Sequence, residues 1–396
     1  MAVLTTMRLF IALVVSCLAT STIAIASTQA LCQEKERLDH PVLCHYLEFA
    51  REDLQGLAAE LHESAKAQGW VIDLYGDGIE NEDYADTVPS MGRRQLQSTT
   101  GSKDSLPVVL AHGMGDSCFN NGMQRITKRV SELLGGVYTT CIPTGRTQSE
   151  DTKNSYFLNM DASVDYFAAG VAADPELKHG FHAIGLSQGN NVIRGYIAKF
   201  NGPVVNTFIS INGVNGGVGA VPYCIPDAAS QATNDGGGAG LKLSMCDLLM
   251  EQASRTAYTE FSQEHSFQAN YWRDPRPSAY ADYQKYCQLA VWGNEAGFVN
   301  QTLIDNWSKT DAFVWVLAED DGMIWPREGE QWGAPDPTDP FHIILPMKET
   351  EWYQKDLFGL KTADEAGKNY FESFEGDHLA FTEEDFERWV TTYLSV

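Results

Sequence analysis

From residue 106 onward the chain alternates short apolar runs with longer stretches in which apolar residues return every three or four positions. The runs are 108–111 (Val-Val-Leu-Ala), 137–142, 181–184 (Phe-His-Ala-Ile), 207–211, 313–317 (Phe-Val-Trp-Val-Leu) and a last one near Tyr370 and Phe371. Runs this short, without polar alternation, predict strands buried on both faces, as in a parallel sheet. Between them Met123, Ile126, Val130 and Leu133 fall on one helical face, and residues 163–173 and 190–197 also suit helices. Thr382, with Asp385 three residues on, predicts a capped start to a closing helix. This rhythm predicts an α/β fold: a mostly parallel sheet with helices on both faces.

Residues 212–310 break the rhythm. Asn212-Gly213-Val214-Asn215-Gly216-Gly217 and residues 234–240 read as loops, and 248–261 and 267–272 read as aromatic-rich helical segments. An insertion at this point predicts a helical cap over a substrate site. Tyr271 and Trp272 within it suit a lipid pocket or plain core equally well.

The first 105 residues follow neither pattern. Arg8, the apolar stretch 9–15 and the small-residue end Ala24-Ile25-Ala26 predict a secretory signal over residues 1–26. Residues 27–105 read as an acidic extension or pro-segment closing in a polar linker. The linker holds Arg93-Arg94, either a cleavage site or two ordinary exposed arginines. No later stretch approaches the ~20 apolar residues of a membrane span. A formal net charge of -25 argues against nucleic acid or an anionic membrane as partner.

Eight cysteines fit an oxidising compartment. Cys17 falls within the signal; the candidate neighbours are Cys32 with Cys44, Cys118 with Cys141, and Cys224 with Cys246, leaving Cys287 over. No C-x-x-C or His-x-x-x-His spacing predicts a metal, and no cofactor motif is present. Asn-x-Ser/Thr sequons at Asn300 and Asn306 predict a glycosylated surface segment.

The chemistry centres on Gly185-Leu186-Ser187-Gln188-Gly189. An apolar strand before it and a helix after it are the context of a nucleophile elbow, whose flanking glycines spare a tight turn from side-chain clashes. A serine nucleophile needs an imidazole to take its proton and a carboxylate to orient that imidazole. His378, in Gly376-Asp377-His378-Leu379 after the last strand, is the candidate base. Glu319-Asp320-Asp321, after the strand at 313–317, leaves the acid open among three residues, with Asp321 leading. His112 ends a strand and reads as a loop-shaping residue. The oxyanion donors are then the N–H groups of Gln188 and, from the loop after the first strand, Met114.

These residues sit in a wider set of motifs: His112-Gly113-Met114-Gly115-Asp116-Ser117-Cys118, Gly185 to Asn190, Tyr271-Trp272-Arg273-Asp274-Pro275, Leu357-Phe358-Gly359-Leu360 and Glu375-Gly376-Asp377-His378-Leu379. In them the chain from residue 106 to its end resembles the palmitoyl-protein thioesterases, lysosomal and secreted enzymes that remove fatty acyl groups from cysteine. The resemblance implies an α/β-hydrolase fold, a triad of Ser187, Asp321 and His378, and oxyanion donors Met114 and Gln188. Pro326, five residues after Asp321, fits that family's aspartate loop. Two departures flank the cap: Asn215 stands where the family suggests histidine, and the segment between Cys224 and Cys246 is longer. The implied partners are S-acylated proteins or peptides. A carboxylester lipase or an acyl-CoA thioesterase would use the same triad, and a secreted lipid-binding protein would leave it idle.

Overall fold

Among the described residues six strands pair in parallel in the order β2-β1-β3-β4-β5-β8. They are β1 (Val108–Ala111), β2 (Thr139–Cys141), β3 (Phe181–Leu186), β4 (Val205–Ile211), β5 (Ala312–Ala318) and β8 (Asn369–Phe374). A separate two-stranded hairpin joins β6 (Ala334–Pro335) to β7 (Ile344–Leu345). The computed structural model describes residues 105–222, 250 and 252–395. The signal at 1–26, all but the last residue of the 27–105 extension, Cys32, Cys44, Cys224, Cys246 and the loop at 234–240 lie outside the described residues. Among the described residues no helix is long and apolar enough to cross a membrane.

The runs of β1, β3, β4 and β5 lack alternation because both faces are covered there, whereas the edge strand β8 leaves Tyr370 and Phe371 exposed and corrects the expectation for that run. On one face Val109, Ala111, Phe181, Ala183, Phe208, Phe313 and Trp315 pack against α3 (Met160–Ala173), α4 (Gly189–Lys199) and the cap. On the other, Val108, Leu110, Ile184, Leu186, Ile209, Ile211, Val314 and Val316 meet α1 (Asn121–Leu133) and the closing helix α6 (Glu383–Leu394). Two further helices are α2 (Gln148–Phe157) and α5 (Gln301–Ser308). Thr382 caps α6 reciprocally with Asp385, as its spacing predicts.

Chain order reverses at β1, with β2 on one side and β3 on the other. At such a switch point the loops leaving two neighbouring strands part to opposite faces and open a crevice at the C-terminal edge. The loop after β1 and Ser187 after β3 border that crevice. Cys118, beyond the β1 loop, is joined to Cys141 at the end of β2, with Cα atoms 5.5 Å apart. Cys287 is a free thiol buried in the cap; its Sγ lies 2.8 Å from Asn270 O, and burial pushes it up to about 12.

Three expectations need correction. The segment expected as one helix over 248–261 is broken: residues 252–257 are helical, and a new helix starts at Glu260–His265 because Thr259 caps the Ser262 N–H. Residues 267–272 hold only a 3-10 turn, Gln268–Tyr271, while Tyr271 and Trp272 are buried core. The sequon at Asn306 is not a surface site: the side chain is buried and donates to Ala198 O at 2.9 Å, joining α5 to α4. Asn300, by contrast, is exposed at the start of α5 and caps the Thr302 N–H.

His182 in β3 is buried with neither ring nitrogen bonded, and burial pushes it down to about 4. The unfolded chain therefore binds the proton first, below about pH 6.5, and stability falls as pH drops from there toward 4. The full loss amounts to about 3 kcal/mol, at 1.36 kcal/mol per pH unit. A His182→Val protein should match wild type in urea denaturation at pH 7.5 and be more stable at pH 4.5; equal acid sensitivity would contradict this account.

Candidate active site

The elbow is built from two glycines that could be nothing else. A Cβ on Gly185 would lie 2.2 Å from Asn190 Oδ1, and one on Gly189 would lie 2.4 Å from Ala111 O and 2.5 Å from His112 O. Ser187 between them sits at φ 52°, a conformation that few side-chain-bearing residues adopt. Asn190 holds the turn from inside, donating Nδ2 to Ser187 O at 2.8 Å and to Ile211 O at 2.9 Å. The hydroxyl is thereby presented at the head of α4, where orphan N–H groups favour negative charge.

The structure brings the three expected side chains together across 191 residues of sequence. His378 Nε2 lies 2.8 Å from Ser187 Oγ, and His378 Nδ1 lies 2.6 Å from Asp321 Oδ2. Asp321 Oδ1 accepts the Met323 and Ile324 N–H groups at 2.7 and 2.8 Å. Burial alone would raise this carboxyl, but the bond from His378, its charge and the Ile324 N–H outweigh it and hold Asp321 below its ordinary value. With Asp321 charged, the Nδ1 of His378 is the protonated nitrogen and Nε2 is free to accept from the serine. The neighbours in the acidic run point elsewhere. Glu319 accepts Ser373 Oγ, and the Asp320 N–H donates to Gly376 O.

Gly113 lies against the serine: a Cβ there would come 3.1 Å from Ser187 Cβ. The next residue, Met114, is half-buried, and Gln188 opens α4. Among the described residues neither the Met114 nor the Gln188 backbone N–H is taken by an acceptor. The Gln188 side chain is fully occupied instead: Nε2 donates to Ser155 O at 2.7 Å, and Oε1 accepts Gln268 Nε2 at 2.8 Å and Tyr271 OH at 3.3 Å. The inserted segment thus rests on the residue after Ser187.

His112 is a strut beneath the Gly113–Met114 loop, not a base. Its Nδ1 faces Gly113 O at 2.9 Å and its Nε2 faces Asp151 Oδ1 at 3.2 Å, so both nitrogens meet acceptors. Burial opposes its charge, yet the Asp151 carboxylate outweighs burial and raises it. Cys118 Sγ lies within 4.8 Å of these two, but it is held in the disulfide, and Asp151 already serves Ser117, Cys118 and Thr144. No metal cradle remains there.

Three site residues were not legible in sequence. Asp377 Oδ1 accepts the N–H of Gly322 at 2.8 Å and of His378 at 2.7 Å, tying the acid loop to the histidine loop. Asn212, at φ 46°, accepts the Leu379 N–H at 2.9 Å and donates to Glu330 Oε2 at 2.8 Å. Glu330, 0% exposed, lies behind Asp321. Each lies in a polar turn beside a glycine, and no local pattern names its partner.

Known proteins are similar to this chain over most of the described region. The family described as palmitoyl protein thioesterase matches residues 107–378, from the residue before β1 to His378. Palmitoyl-protein thioesterase 1 of Caenorhabditis elegans is 31% identical over 275 residues, covering 69% of this chain and 86% of the worm protein. Palmitoyl-protein thioesterase 3 of Dictyostelium discoideum is 27% identical over 281 residues, 71% of this chain and 87% of that one. Lysosomal thioesterase PPT2 of Homo sapiens is 25% identical over 259 residues, 65% and 76% respectively.

The close approach at Gly189 makes a direct test. Gly189→Ala should lose about 1–3 kcal/mol in thermal or urea unfolding, because backbone on both sides must move. It should also slow labelling of Ser187 by a fluorophosphonate. Gly122→Ala in α1, where nothing lies within 4 Å, is the control and should be neutral or slightly stabilising. Equal behaviour of the two variants would show that the elbow is not under this constraint.

Proposed function

The chain belongs to the palmitoyl-protein thioesterase family, as an α/β hydrolase, and on that premise we propose that it removes long-chain fatty acyl groups, palmitoyl among them, from S-acylated cysteine of proteins or peptides. The observation that carries the reading is the chain of contacts Ser187 Oγ–His378 Nε2–Asp321 at 2.8 and 2.6 Å. Ser187 is the nucleophile, His378 the general base and Asp321 its orienting partner. The Met114 and Gln188 N–H groups are the oxyanion donors.

In this reading His378 takes the hydroxyl proton as Ser187 Oγ attacks the thioester carbonyl carbon. The tetrahedral oxyanion collapses and the C–S bond breaks; the departing cysteine sulfur takes the proton from His378 and leaves as the thiol, with an acyl-serine behind it. Water, activated by the same imidazole, then attacks the acyl-serine to release the fatty acid. A thiol with pKa about 8.5 leaves far more readily than an alkoxide, so the departing group needs little acid assistance. Each buried methylene of the acyl chain adds about 0.8 kcal/mol of binding in an apolar groove.

The working unit is residues 106–396, preceded by the signal at 1–26 and the acidic extension. A route through the secretory pathway to lysosome or exterior fits the Cys118–Cys141 disulfide and the name of the human relative, a lysosomal thioesterase. Asn300 is the glycosylation candidate that remains.

The deciding experiment compares a palmitoyl-cysteine peptide with the matched palmitoyl-serine ester, using wild type and Ser187→Ala. Thioester turnover should exceed ester turnover and fall by at least about 10³-fold in Ser187→Ala. Ester turnover alone would move the protein to the lipases, and no turnover of either would leave a lipid-binding protein.

A further inference from the structure

His112 follows β1 with its side chain buried between two acceptors. Its Nδ1 lies 2.9 Å from Gly113 O, a carbonyl that can only accept, so Nδ1 carries a proton. Its Nε2 lies 3.2 Å from Asp151 Oδ1. Asp151, 0% exposed on α2, is held as a carboxylate by four donors. The Ser117 hydroxyl and the Cys118 N–H reach Oδ2 at 2.9 Å, and the Thr144 N–H and hydroxyl reach Oδ1 at 2.7 and 3.0 Å. A bare Nε2 would turn its lone pair toward that negative oxygen. The ring therefore carries protons on both nitrogens and is an imidazolium.

Of the charged groups around the ring, Asp151 is in contact and Asp116, in the same loop, acts from farther away. Around the small cavity beside it, the loop after β2, α2, α4 and the inserted segment present neutral side chains: Thr144, Asn154, Ser155, Gln188 and Phe267. Burial works against the charge, but the Asp151 carboxylate and the Gly113 carbonyl outweigh it and hold the ring above the usual histidine range.

Gly113 O and the Met114 N–H belong to one planar peptide unit and point to opposite sides of it. Glycine at 113 leaves that unit freer to rotate than any other residue would. Helix α2 pins it from both sides. Asp151 braces His112 before it, and Ser155, one turn along the helix, accepts the Gly115 N–H at 2.8 Å after it. We propose that His112 is a positioning residue for the oxyanion site: as an imidazolium braced on Asp151, it anchors Gly113 O and so aims the Met114 N–H at the reacting carbonyl oxygen. This rests on the reading in which the Met114 N–H is an oxyanion donor beside Ser187. The cation also draws electrons from the shared peptide, which makes that N–H a stronger donor. When the ring loses its Nε2 proton at alkaline pH, the brace on Asp151 fails and the donor loses its aim.

The test uses the full chain and the rate of fluorophosphonate labelling of Ser187, a readout independent of the natural substrate. The rate is resolved into a maximal value and a half-saturating probe concentration at each pH. Nitrogen NMR of histidine-labelled protein should show both His112 nitrogens protonated at pH 7. His112→Gln keeps an amide toward Asp151 but has no donor at the Nδ1 position. Its maximal rate should fall at least about tenfold, with the half-saturating concentration within about threefold, because the oxyanion forms only in the transition state. His112→Asn places its amide where Nδ1 stood, and should restore the maximal rate to within about threefold of wild type at pH 7. The wild-type rate should fall at alkaline pH along the titration of the His112 ring, and His112→Asn should lack that fall. A neutral ring at pH 7, a wild-type maximal rate in folded His112→Gln, or the same alkaline fall in His112→Asn would each overturn the assignment. If neither variant folds, the wild type decides alone, and a rate that holds through the His112 titration overturns it. Labelling that persists in Ser187→Ala would instead refute the triad reading itself.

Discussion

The first turn of α4 touches the end of β1 backbone to backbone, with no side chain between them. Gly189 makes that possible, and the rest of the site follows from it. With the helix seated directly on Ala111 and His112, Ser187 is forced into a left-handed conformation and the Gly113–Met114 loop is brought against it. A methyl group at position 189 would separate the two donors of the proposed oxyanion site and withdraw the hydroxyl from the histidine. The strain is held in place by Asn190 and by strands buried on both faces, not by the elbow itself.

Around this rigid centre, the other half of the site is made of loops, and polar bonds hold them. The loops after β4, β5 and β8 are laced by Asn212, Asp321, Glu330 and Asp377. Apolar packing is tolerant of small displacements, whereas a carboxylate shared by two N–H groups is not. A histidine that must meet a serine at hydrogen-bond distance benefits from the second kind of fixing. Such a network has a cost: each buried polar atom must find its partner, and removing one leaves several unsatisfied.

Much of this was legible in the chain. The elbow, His378, the capping pair Thr382–Asp385 and the pairing of Cys118 with Cys141 each depend on near neighbours or on strand-end positions, which local pattern reports. Asp321 was favoured over Asp320 by Pro326 five residues on, and it is the one of the three acids that the structure bonds to His378. Glu330 was invisible because its partner Asn212 stands 118 residues away and its own segment reads as a charged turn. The sequon at Asn306 misled for the opposite reason: a tripeptide pattern carries no information about burial. The helix break at Thr259 was overlooked because apolar spacing continued through a residue whose hydroxyl competes for the backbone.

The side chain of Gln188 is gripped by Ser155, Gln268 and Tyr271, two of which belong to the inserted cap. A single residue therefore stands on both sides of a border, its amide side chain in the cap's territory and its main chain beside Ser187. Lineages could rebuild most of the cap, lengthening or refilling it to suit new acyl groups, while the reacting centre stayed as it was, as long as something continued to hold that amide.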